Sequence, residues 1–222
     1  MNAIPQDFEG TPARMTRHSH ERAHLPLTGD GLAAADLLAE AGFDVRIDLG
    51  QHFLRSKNAA HRLLDCAELP DRGQVLEVGA GLGTLSGAVA ETGRRIWAVE
   101  KDRRLGGILR DALRRFGSRA RVSISDVREV DLDEGLTPGA VLLAIMPFDW
   151  ELSAALTRHV FASTSKVERG LVVLPSRVLE QYQAAGDTAC GLRLREVDGI
   201  SRSEFWPKAP EALRVVSIER LR

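Results

Sequence analysis

The segment VLEVGAGLGTLS, residues 75–86, places Gly79, Gly81 and Gly83 directly after an apolar run and before a helical one. A backbone that turns sharply and admits a ligand without an intervening side chain needs glycine at such points. Glu77 stands two residues before the first of them, in the spacing E-x-G-x-G-x-G. The next apolar run, RIWAVE, ends in Glu100, followed by Lys101, and a third ends at Asp126 in SISDVRE. A carboxylate at the second strand's end can accept both hydroxyls of a ribose, which suits NAD and S-adenosylmethionine (SAM) alike. A second acid one strand further on can accept the exocyclic amine of adenine. Together with the glycines, these acids form a constellation typical of SAM sites, although each acid alone could simply cap the helix after it.

A different chemistry is suggested by AVLLAIMPFDWEL, residues 140–152. A buried-strand pattern gives way abruptly to Pro147, Phe148, Asp149 and Trp150. An aromatic ring and an acid just past a strand end could receive a substrate, with Asp149 orienting or deprotonating a hydroxyl or amine. Asp149 fits equally well as the N-cap of a helix WELSAALTRHVF.

The elements that must hold these groups follow from periodicity. From residue 74, short apolar strands alternate with amphipathic helices, which implies an α/β fold with a mostly parallel sheet covered on both faces. LRLREVDGI and LRVVSIERL alternate polar and apolar residues around FWPKAP and predict a closing antiparallel pair. Upstream, SKNAAHRLLDCAEL predicts a helix with Ser56 as N-cap, and GDGLAAADLLAEAGF a shorter one that starts near Asp30 or Gly31 and ends at Gly42. Residues 1–30 read as an irregular arm, able to act as a lid, and residues 31–222 as one catalytic domain. His18, His20 and His24 in the arm lack a supporting ligand pattern, so no metal site is expected.

Composition sets the outer bounds. The chain has 222 residues, 44% hydrophobic and 27% charged, with a formal net charge of −1. That is ordinary for a globular enzyme and weakly suited to general attraction to phosphates. The longest apolar run, Ala140–Met146, is far short of the roughly 20 residues that span a bilayer. Cys66 and Cys190 are widely separated and read as reduced thiols, so a cytoplasmic location is expected.

The segment DLGQHFLRSKNAAHRLLDCAEL, residues 48–69, resembles the G-Q-[NH]-F-L signature of the rRNA adenine N6-methyltransferases, a family that includes macrolide-resistance methylases and dimethyladenosine transferases. FWPKAPEALRVVSIERL, residues 205–221, is similar to that family's F-x-P-x-P segment before its last strand. The resemblance covers about residues 46–222 and implies a Rossmann-like SAM-dependent methyltransferase fold with a seven-stranded sheet. It also implies that Gln51, His52 and Leu54 line the cofactor pocket, that Gly79 and Gly81 face the methionine part, that Glu100 takes the ribose, and that Asp126 with Val127 takes the adenine. Lys101 belongs to the same cofactor-binding set.

The departures from the family concern the acceptor. Where the resemblance calls for Asn-[Leu/Ile]-Pro-[Tyr/Phe], this chain has Ile145, Met146, Pro147 and Phe148. Isoleucine cannot accept a hydrogen bond, so the group that would orient the target amine is missing. The family's [FM]-x-L-Q-K-E segment is replaced by LVVLPSRV, and the chain stops at Arg222, where the family continues into a small helical lobe. These changes favour a SAM-dependent methyltransferase with an altered acceptor site built from Ile145, Pro147, Phe148 and Asp149, acting on a nitrogen or oxygen of a small molecule. An rRNA adenine N6-methyltransferase and a non-catalytic SAM-fold binding or regulatory protein are the alternatives. Seven arginines between Arg103 and Arg121 could track phosphates, or could simply solvate a helix face.

Overall fold

The computed structural model describes Leu38 and residues 43–69, 71, 73–162, 164–186 and 191–221. The expected arm, residues 31–42 of the expected short helix apart from Leu38, the three arm histidines and Cys190 lie outside these residues.

Seven strands form one sheet: β2 (Gln74–Val78), β3 (Arg95–Glu100), β4 (Ala120–Ile124), β5 (Ala140–Ile145), β6 (Val167–Pro175), β7 (Leu192–Ile200) and β9 (Leu213–Arg220). Their order is β4-β3-β2-β5-β6-β9-β7. The first five run parallel, and β9 pairs antiparallel with β7, as the sequence pattern predicts, and also with β6. The central strands are apolar without interruption because both of their faces are covered. Neighbouring residues serve opposite cores: Val75, Ala98, Leu143 and Val173 pack on one side, and Leu76, Trp97, Leu142 and Val172 on the other.

Helices α1 (Lys57–Cys66), α2 (Thr84–Glu91), α3 (Gly106–Leu113), α4 (Leu132–Gly135), α5 (Trp150–Val160) and α6 (Ser176–Ala185) connect the strands. The Ser56 hydroxyl accepts the Ala59 N–H at 3.0 Å, which confirms the expected cap of α1. Residues 102–122 do not form one long helix. Short 3-10 turns flank α3 on both sides, and Gly117 breaks the second with φ 55°.

A second, two-stranded ribbon joins β1 (Phe53–Leu54) to β8 (Phe205–Trp206), with Phe53 opposite Trp206. Phe53 and Trp206 also stack, with ring centroids 6.2 Å apart. This ribbon fastens the QHFL segment to FWP across 150 residues of sequence. Two-residue strands carry no periodic signal, so only the fold reveals the pairing.

Strand order reverses between β2 and β5, which pair directly through Val78 and Ala144. The carboxyl ends of β2, β3, β4 and β5 therefore open onto one crevice at the point where open α/β sheets bind ligands.

Candidate functional site at the switch point

The crevice at that edge encloses about 1130 Å³ of empty space, counting its open mouth. Its walls include the QHFL segment, the glycine turn, Glu100–Lys101, Ser125–Val127 and Ile145–Pro147, with Leu105, Leu152 and Leu156 completing them. All nine residues expected to bind the cofactor line it, as do Ile145 and Pro147.

The glycine turn is shaped by contacts that exclude side chains. Gly81 has φ 54°, and a Cβ there would lie 3.1 Å from the Phe53 ring. A larger residue would be strained twice, by conformation and by contact. The turn is also held electrostatically. The Gly81 N–H donates to Glu100 Oε2 at 2.8 Å, and the Asp102 N–H donates to Glu100 Oε1 at 2.7 Å. Burial pushes the Glu100 carboxyl up, and these two backbone donors oppose the shift. A carboxylate has about four acceptor positions, so each Glu100 oxygen retains room for one ribose hydroxyl. A cofactor with ribose and amino-acid arms fits this cradle.

Glu77 lies beneath the turn. Burial pushes its carboxyl up to about 8, and it accepts a short hydrogen bond from the Ser86 hydroxyl. It is therefore largely protonated at neutral pH, and a charge is not left unpaired in the core.

Asp126 is built differently. Arg128 contributes its backbone N–H and Nε to Oδ1 at 3.0 and 2.9 Å, and its Nη2 to Oδ2 at 2.6 Å. Lys101 Nζ lies 2.9 Å from Oδ2. The Arg128 guanidinium, with Lys101, holds the Asp126 carboxyl well below the usual carboxylate range. All four of its acceptor positions are filled.

The QHFL segment is pinned from two sides. Gln51 donates to Asp102 Oδ2 at 2.6 Å and accepts the Arg46 N–H at 2.9 Å. The Arg104 guanidinium beside Asp102 pulls that carboxyl down to about 2, with Gln51 assisting. His52 Nδ1 donates to the Pro207 carbonyl at 2.8 Å. A carbonyl only accepts, so Nδ1 carries the proton.

On the acceptor side, Ile145 ends β5, and a Cβ on Gly79 would lie 4.0 Å from the Ile145 carbonyl. The Phe148 ring meets His52 edge to face at 4.9 Å. Asp149 accepts the Leu152 N–H at 2.7 Å and caps α5; neither it nor Phe148 lines the crevice wall. Ser153, fully buried, donates to the Pro147 carbonyl at 3.0 Å.

Much of the arginine-rich segment is spent on structure. Arg104 pairs with Asp102, Arg115 with Glu91, and Arg121 lies over Trp97 at 3.9 Å. Sequence reasoning missed Asp102, Ser153 and Arg177. Asp102 alone carried a signal, two residues beyond Glu100. No group of three metal-ligating side chains occurs among the described residues, and no helix among them is long and apolar enough to cross a membrane.

Fold, glycine turn and acid-tipped strands together define a Rossmann-like methyltransferase fold. Within that class, the chain belongs to the family described as "Ribosomal RNA adenine dimethylase", whose profile matches residues 42–191. It is 32% identical over 218 residues to "Ribosomal RNA small subunit methyltransferase A" of Acidothermus cellulolyticus, covering 90% of this chain and 73% of that protein. The namesake of Streptococcus pneumoniae is 28% identical over 156 residues, and the match spans about half (53%) of its length. The structure superposes on the 23S rRNA methyltransferase ErmE with a TM-score of 0.63 and 21% identity, covering 76% of this chain and 69% of that one.

The resemblance seen in sequence and the expected enzyme class are thus borne out, since the matched family and these relatives are methyltransferases. The expectation of a small-molecule acceptor is not supported. The curated relatives are named for ribosomal RNA, so the rRNA alternative fits better.

Proposed function

We infer that the protein binds SAM at the switch-point crevice and methylates the N6 amine of an adenine in ribosomal RNA. The observation that carries this reading is the convergence of the glycine turn, Glu100, Asp126–Val127 and the QHFL segment on one crevice that ends at Ile145–Pro147.

The cofactor supplies an electrophilic methyl group when bound. Glu100 would accept its ribose hydroxyls, Gly79 and Gly81 would give its amino-acid arm room, and Val127, with Asp126 once Lys101 has swung away, would meet the adenine. With Ile145 in place of asparagine, backbone carbonyls near Ile145 and Pro147 accept the hydrogens of the target amine. Hydrogen bonding there turns the nitrogen lone pair toward the methyl carbon. Phe148 stacks on the base once it leaves its helix, the posture such chemistry requires. Held by Glu100 and the glycine turn, SAM would supply the methyl group and leave as S-adenosylhomocysteine, with the displaced amine proton passing to water.

Tritiated methyl from SAM should enter rRNA, supplied either naked or within ribosomal subunits. No label in either substrate would overturn the assignment of RNA as acceptor.

A further inference from the structure

A loop that presents an amine for transfer must hold its geometry, since a misplacement of about 1 Å costs on the order of 100-fold in rate. Without an asparagine side chain, the backbone of residues 146–149 must do the holding. Inside the fold it is braced by Ser153 on the Pro147 carbonyl and by Gly50, where a Cβ would lie 3.3 Å from Pro147 Cα. Its outer side is held by a side chain from α6. Arg177, in the first turn of α6, donates Nη2 to the Phe148 carbonyl and Nε to Glu211 Oε1 at 2.6 Å. One guanidinium thus ties the acceptor loop to the segment leading into β9.

We propose that Arg177 is a positioning residue for methyl transfer, clamping the Phe148 carbonyl against Glu211 so that the acceptor backbone keeps its orientation. This rests on the function inferred above. The side chain is 62% exposed, and an exposed ion pair adds little to global stability. Its effect therefore falls on the loop and not on the fold. Two acceptors in fixed directions suit the planar fork of arginine, whereas a lysine ammonium is a single point donor.

The test compares the full chain with Arg177→Ala and Arg177→Lys, using amide hydrogen exchange of residues 146–152 and methyl-transfer kinetics on rRNA. Arg177→Ala is expected to speed exchange in that segment several-fold and to lower kcat about 10-fold. The KM for RNA, S-adenosylhomocysteine (SAH) affinity and thermal midpoint should not change, and Arg177→Lys should fall between. Unchanged exchange would overturn the proposal. So would a raised KM at constant kcat, which marks a phosphate contact. Faster exchange in a protein whose wild type labels no RNA would uphold the clamp and refute the inferred function instead.

Discussion

Lys101 Nζ lies 2.9 Å from Asp126 Oδ2, and Arg128 fills the remaining acceptor positions of that carboxylate. The acid that the family pattern assigns to the adenine amine is therefore closed by this chain's own cations. Lys101 is the more exposed of the two, and its ammonium is the partner that can swing away. Replacing it with the uncharged Lys101→Met should tighten SAH binding by roughly 1.5- to 5-fold, the worth of one partly exposed ion pair. Calorimetry at low and high salt checks this. The wild type should gain affinity with salt as the pair is screened, and the variant should not.

The loss of the asparagine is directly reversible. Ile145→Asn would return a hydrogen-bond acceptor to the end of β5. One positioned hydrogen bond contributes about 0.5–1.5 kcal/mol, so single-turnover methyl transfer to rRNA should accelerate by up to about 10-fold. A slower variant with unchanged SAH affinity would show that the backbone arrangement around Ile145 is already optimised and that the side chain obstructs it.

Glu77 makes stability depend on pH in the alkaline direction. Its carboxyl is held up to about 8 in the folded chain, against 4.5 for the free group. The stabilising contribution is complete below about 4.5 and is lost as pH rises through 8, because the unfolded chain ionises first. Glu77→Gln, which can still accept from the Ser86 hydroxyl, should abolish this decline between pH 5 and 8. Chemical denaturation across that range measures it. Asp102, drawn down to about 2 by Arg104, acts oppositely. Its contribution is present above about 3.8 and disappears as pH falls toward 2.

Gly81 tests the cradle itself. Gly81→Ala places a methyl 3.1 Å from the Phe53 ring at a positive φ. The strain is on the order of 1–2 kcal/mol, so SAH affinity should fall about 10-fold while the sheet remains intact by circular dichroism.

The sheet, the glycine turn and Glu100 were legible in the sequence because each depends on backbone geometry. Strand periodicity, glycine spacing and an acid at a strand end all leave one-dimensional traces. The closure of Asp126 left none, since it depends on where two long side chains settle after folding. The β1–β8 ribbon was hidden because two-residue strands have no period. Asp149 read equally well as cap or catalyst, and its bond to the Leu152 N–H places it at the helix start. Ser153 and Arg177 looked like ordinary helix residues, because their partners are main-chain carbonyls that no side-chain motif encodes. The small-molecule expectation arose from giving Ile145 more weight than the QHFL and FWP segments, which the fold joins through Phe53 and Trp206.

The central claim is that the crevice delivers a methyl group to adenine N6 although β5 ends in isoleucine. Mass spectrometry of nucleosides from rRNA incubated with SAM and the purified protein tests it most directly. The account predicts N6-methylated adenosine, reduced on the order of 10-fold or more when Glu100→Ala removes the ribose acceptor. Unmodified adenosine throughout, from a protein that binds SAH by calorimetry, would contradict it.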